Sequence, residues 1–173
     1  MERLSCFAAA SVAALLYLAG GPAAAQTPEQ ESAKAAVKAV FAALDSGDAV
    51  KLEKLFAADA VVFDSTYPLR VDGWEEFRNY LADMHGLISE LKTSIRQPQV
   101  QIQGPIAVVS FYYSQDYVAA RDAVQPEEGE SEGLAVTRER TNEAGRGTVV
   151  LAGNKDAWKV ISFHLSQFPA SMF

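Results

Sequence analysis

Asp64 closes the run Ala60-Val61-Val62-Phe63, whose β-branched and aromatic residues predict a strand. A carboxylate at the end of such a strand can point into an interior. There its anion loses hydration, which suits it to move a proton beside a carbonyl. A turn at Ser65-Thr66 would use the same carboxylate as a hydrogen-bond acceptor, so both roles stay open. Arg146 and Thr148 form a second constellation, two apart and therefore on one face of a strand. Trp158, Ser162, His164 and Ser166 share a face of the strand that follows. Pairing of these strands would set a guanidinium, a hydroxyl and an imidazole side by side, a donor set suited to a carboxylate or enolate. In the combined scheme Asp64 is the general base and Arg146 or His164 steadies the oxyanion, which requires all three to converge on one pocket. A cross-strand hydrogen bond or a dimer face would occupy His164 equally well.

Tyr67, Tyr80, Tyr112, Tyr113 and Tyr117 offer apolar rings with polar tips. Tyr80 and Tyr113 join Arg146 and Thr148 as ligand-binding candidates, with Asp64 and His164 as the catalytic ones. Tyr113 and Tyr117 share parity with Phe111, and core or dimer packing alone would account for that aromatic face. His85, at the end of a helix, suits the negative end of that helix's dipole. His85 and His164 are the two histidines, and no H-x-x-x-H or H-E-x-x-H spacing exists. No metal and no cofactor is expected.

Three helices and then several strands must position these residues. From Ser32, apolar residues at Ala33, Ala36, Val37, Val40, Phe41 and Leu44 mark one helical face, preceded by a polar lead-in from Gln26 to Gln30. Gly47 can end that helix in the left-handed conformation, and Asp48 can cap a short second helix carrying Leu52, Leu55 and Phe56. Asp72 and Glu75 suit a third helix start, followed by Trp74, Phe77, Leu81, Met84 and Ile88. The period then changes. Val100 and Ile102 alternate with glutamines, Gly104-Pro105 makes a turn, and Ile106 to Val118 reads as a long strand. Asp122 to Gly133 is an acidic, turn-rich loop. Asn142-Glu143-Ala144-Gly145 has the composition of a hairpin turn between Val136–Thr141 and Arg146–Ala152, and Trp158 to Ser166 closes the sheet. Helices first and antiparallel strands afterwards describe a single α+β domain over residues 26–173.

The 173 residues carry 15 Lys+Arg against 22 Asp+Glu, a net charge of −7. That balance argues against nucleic acid, which needs a basic surface. Residues 1–25 have the pattern of a cleavable export signal: Arg3 near the start, 13 uncharged residues from Phe7 to Ala19, then Gly20-Gly21-Pro22 and Ala23-Ala24-Ala25 before Gln26. Thirteen apolar residues are too few to cross a bilayer, which takes about 20. The mature chain is thus expected in the periplasm or outside the cell, with no membrane attachment after cleavage. Cys6, the one cysteine, would leave with the leader, which excludes disulfides and thiolate chemistry.

Three stretches carry a resemblance: AALDSGDAVKLEKLFAADAVVFD, VDGWEEFRNYL, and GRGTVVL with WKVISFHLS. Together they resemble SnoaL-like and ketosteroid-isomerase-like members of the nuclear-transport-factor-2-like superfamily, over about residues 32–168. The resemblance implies a cone: three helices packed on a strongly curved, mainly antiparallel mixed sheet, with an apolar pocket at one end and often a homodimer. It also implies that Asp64 stands where ketosteroid isomerases keep their general base. Their Tyr and protonated Asp oxyanion donors have no counterparts, since Val40 stands at the first position and no carboxylic acid lies near Thr148. Such a loss counts against steroid isomerisation. The expected role is binding of a small, partly apolar molecule. An isomerase, dehydratase or cyclase using Asp64 is one alternative, and a non-catalytic interaction module is another.

Overall fold

The computed structural model describes residues 26–65, 67, 69–121 and 137–169. The expected export leader (1–25) and the acidic loop Asp122–Gly133 lie outside the described residues. Helix α1 spans Pro28–Ser46. It begins four residues before the apolar periodicity, because Thr27 and Gln30 form a reciprocal capping box and Pro28 sits in the first turn. Gly47 ends it at φ 66°, and the Asp48 carboxylate accepts from the Lys51 amide to start α2, Ala49–Leu55.

Phe56 opens β1 (Phe56–Phe63) and does not extend α2. A two-residue strand, β2 (Val71–Asp72), leads into α3, Gly73–Leu87. Asp72 makes no side-chain cap there, because Arg70 holds its carboxylate at 2.7 Å. Glu76 instead reaches back to the Asp72 amide. Ile88 then starts a long strand, β3 (Ile88–Gln103), followed by β4 (Ile106–Arg121), β5 (Thr137–Ala152) and β6 (Lys159–Gln167).

The sheet order is β2-β1-β6-β5-β4-β3, antiparallel throughout except for the parallel β1–β6 pair. Irregularities in the β3 register fall at Glu90 and Gln97, both at positive φ, and such bulges bend a strand. The result is the expected α+β architecture, three helices on the concave face of a curved mixed sheet.

One expectation fails clearly. Residues 142–145 form no turn; β5 runs straight through them, with Asn142 opposite Asp116 and Gly145 opposite Tyr113. Its glycines serve close approach. A Cβ on Gly145 would meet the Ser166 carbonyl oxygen at 2.1 Å and the Tyr113 ring at 2.8 Å, and one on Gly147 would meet Phe111 at 2.6 Å. Aromatic rings of β4 therefore lie across bare backbone of β5.

The core fills the space between the helices and the concave face. Val37, Val40, Phe41 and Leu44 of α1, with Trp74, Phe77 and Leu81 of α3, meet Val109, Phe111, Val149, Leu151, Phe163 and Leu165. Phe56 sits amid rings, 4.9 Å from Phe77 and 6.2 Å from both Trp74 and Phe163.

Candidate functional site

Beyond the aromatic core, α3 and the sheet diverge and leave a cavity of about 630 Å³. Asp64 lines it from the end of β1, Tyr67 from the following turn, and Glu76, Tyr80 and Asp83 from successive turns of α3. Leu91 of β3, Gln115 and Tyr117 of β4, and Glu143 of β5 form the opposite wall. A small recess continues toward Phe77, Leu81, Phe163 and Leu165, so the inner end is apolar. Tyr67 and Tyr80 pack ring to ring at 5.1 Å on one side.

Two tyrosines tie the wall to the sheet. Tyr117 donates its hydroxyl hydrogen to Glu143 at 2.5 Å, and the other Glu143 oxygen accepts from the Gln167 amide. Burial first, then this bond to a carboxylate, pushes the Tyr117 hydroxyl well above the ordinary phenol range. Tyr113 is 2% exposed, with its hydroxyl 3.4 Å from the Ser65 hydroxyl. Burial pushes its pKa up as well; the Ser65 bond opposes that, and the charges of Asp64 and Glu143 reinforce it. Both phenols hold their protons at neutral pH.

The structure divides the sequence candidates between two surfaces. Asp64 and Tyr80 line the cavity, and Tyr113 lies buried next to Asp64's neighbour Ser65. Arg146, Thr148 and His164 stand together, as strand parity predicts: Thr148 pairs with His164 and Arg146 with Ser166. Their face, however, is the convex one. Phe163 and Leu165 take the core side of β6, which turns His164 outward beside a shallow depression shared with Arg146 and Thr148. Arg146 lies over the Phe168 ring at 6.0 Å, and the His164 ring meets the exposed Phe63 at 5.9 Å. The three-residue convergence of Asp64, Arg146 and His164 is therefore absent.

Trp158 also departs from the expected grouping. A register shift between Val150 and Leu151 in the β5–β6 pairing puts Trp158 and Val160 in the core, while Ser162, His164 and Ser166 face outward.

Among the pocket residues, sequence reasoning misses Glu76, Asp83, Gln115 and Glu143. Glu143 was hidden by the turn-like composition around it. The usable signal was parity with Gly145, Gly147 and Val149, which face the same way. Among the described residues no group of His, Cys, Asp or Glu converges closely enough to hold a metal ion, and no helix is long and apolar enough to cross a membrane.

This fold with a cavity between α3 and the curved sheet defines a class. Residues 33–171 match the SnoaL-like domain model, and the chain belongs to that family. No curated sequence matches the chain significantly. Similar solved structures include a nuclear transport factor 2-like superfamily protein from Salmonella enterica, at 16% identity and TM-score 0.64 over 82% of this chain and 92% of that one. The CaMKII hub of S. rosetta superposes at 18% identity and TM-score 0.63, covering 83% and 98%. A ketosteroid isomerase-like protein from Erwinia carotovora atroseptica gives 14% identity and TM-score 0.62, covering 81% and 96%.

Proposed function

We propose that this chain binds a small, partly apolar molecule in the cavity between α3 and the sheet. One observation carries the reading: about 630 Å³ of space, walled by Tyr67, Tyr80, Met84 and Leu91, with Asp64 among its polar groups. That size and mixture match pockets for small organic ligands. A thermal-shift screen of small aromatic and carbonyl compounds tests it, because a ligand bound only by the folded state raises the melting midpoint by mass action. A screen in which no compound shifts the midpoint overturns the reading.

A second reading is proton-transfer catalysis with Asp64 as general base, in the manner suggested by the ketosteroid isomerase-like neighbour's name. The observation favouring it is the placement of Asp64, a carboxylate at the end of β1 that lines the cavity. Tyr117 spends its hydrogen on Glu143, and Arg146 and His164 face away, so this reading takes its oxyanion donor from a neutral polar group of the wall such as Asn79 or Tyr67. Asp64→Asn should abolish turnover of any substrate found while leaving its binding measurable. Retained turnover would remove Asp64 from the chemistry.

Export to the periplasm or the exterior, after cleavage before Gln26, belongs to the same proposal, as does homodimerisation through the convex face. Exposed Tyr112 and Phe63 on that face support the second point. N-terminal sequencing of the exported chain and light scattering on dilute protein check the two.

A further inference from the structure

The cavity's charge is one-sided. Asp64, Glu76, Asp83 and Glu143 line it, and among the described residues no Lys, Arg or His does. Arginines close by in sequence are engaged elsewhere: Arg70 on Asp72, Arg78 on Glu75 and Arg140 on Glu90. Arg146 belongs to the convex face. The neutral polar groups of the wall, Asn79 and Gln115, leave this negative balance unchanged.

Two further features narrow what such a cavity can hold. The carboxylates do not cluster as metal ligands do, so a compact inorganic ion is not what they fit. Tyr67 and Tyr80 pack at 5.1 Å and present ring surface to the same space, and the faces of aromatic rings attract organic cations. Val71, Met84, Leu87, Ile88 and Leu91 supply an apolar side to the same cavity.

Resting on the reading of this cavity as a ligand site, we infer that its ligand is an organic cation: a protonated amine with an apolar body. The body packs against Val71, Met84, Leu87, Ile88 and Leu91, and the ammonium sits among the carboxylates beside the tyrosine pair. A cation gains from the cavity's negative balance, a neutral ligand gains nothing from it, and an anion is repelled by it. The chain's net charge of −7 draws the same class of ligand toward it.

Calorimetric titration of the whole chain with three near-isosteric probes tests this: phenethylamine, phenethyl alcohol and phenylacetate, with the matching indole series for a larger body. The expected result is amine binding about tenfold or more tighter than the alcohol, with the carboxylate weakest. Asp83→Asn and Glu76→Gln, made separately, should each cut amine affinity about threefold and leave the alcohol unchanged. If the alcohol or the carboxylate binds as well as the amine, the charge inference falls while the cavity reading stands. An amine preference untouched by both substitutions also overturns it. Should no probe of any charge bind, the cavity reading falls too.

Discussion

Phe63 and His164 face each other across the parallel β1–β6 pair, with ring centroids 5.9 Å apart. Both rings lie on the convex side, and Asp64, one residue further along, lines the cavity on the concave side. That single step of strand alternation separates the acidic candidate from the imidazole. The sheet itself stands between the two groups.

Because of this separation, His164→Ala and Arg146→Ala should leave ligand affinity in the cavity within about twofold, as expected of distant independent sites. The same variants should alter self-association if the convex face is a dimer surface. Titration with the best cavity ligand and light scattering of each variant read the two effects apart. A tenfold loss of cavity binding on His164→Ala would contradict the placement.

Gly145 and Gly147 lie beneath aromatic rings, so both should resist even a methyl group. Gly147→Ala pushes into the Phe111 and Leu165 side chains and should cost about 1–3 kcal/mol, the usual range for an overpacked core. Gly145→Ala meets the rigid Ser166 carbonyl oxygen and should cost more. Chemical denaturation of both variants checks the order.

At Gly47 the cost comes from the backbone. Its φ of 66° is left-handed, and an added Cβ would come within 3.4 Å of the His85 ring. Gly47→Ala should therefore destabilise the chain by about 1–2 kcal/mol. Gly86, where an added Cβ meets nothing within 4 Å, is the control: Gly86→Ala in α3 should be neutral or stabilising. Melting midpoints of the two variants make the comparison.

Tyr113 and Tyr117 should show themselves in alkali. Both have a folded-state pKa raised above the ordinary phenol value of 10.0. Their contribution to stability is complete below that pH and is lost as pH rises through the folded-state values. Tyrosinate absorbance from Tyr113 and Tyr117 should therefore appear only above the ordinary phenol range, together with unfolding. Tyr117→Phe removes one late-ionising group and should reduce the alkaline loss of stability.

Much of this architecture is legible in the residue pattern. The 3,4 spacing from Ala33 to Leu44 and from Trp74 to Leu81 marks the buried helix faces, since an amphipathic helix must hide one stripe. Asp64 and Tyr80 emerge as pocket residues because one ends a strand and the other rides the packed helix. Glu143 does not, because short-range composition favours a turn where long-range pairing with β4 imposes a strand. Parity correctly joins Arg146, Thr148 and His164. Which side of the sheet they occupy depends on Gly147, Phe163 and Leu165, and on where the rings of β4 need room. The Trp158 grouping fails at a bulge, where alternation loses count.

The parallel seam between β1 and β6 joins the first described strand to the last. Phe56 lies opposite Val160, so about a hundred residues must be in place before those two can meet, a closure whose entropy falls due before any contact repays it. During synthesis β1 must wait, edge exposed, until the final strand is made. A chain cut short before Lys159 would leave that edge open to other chains.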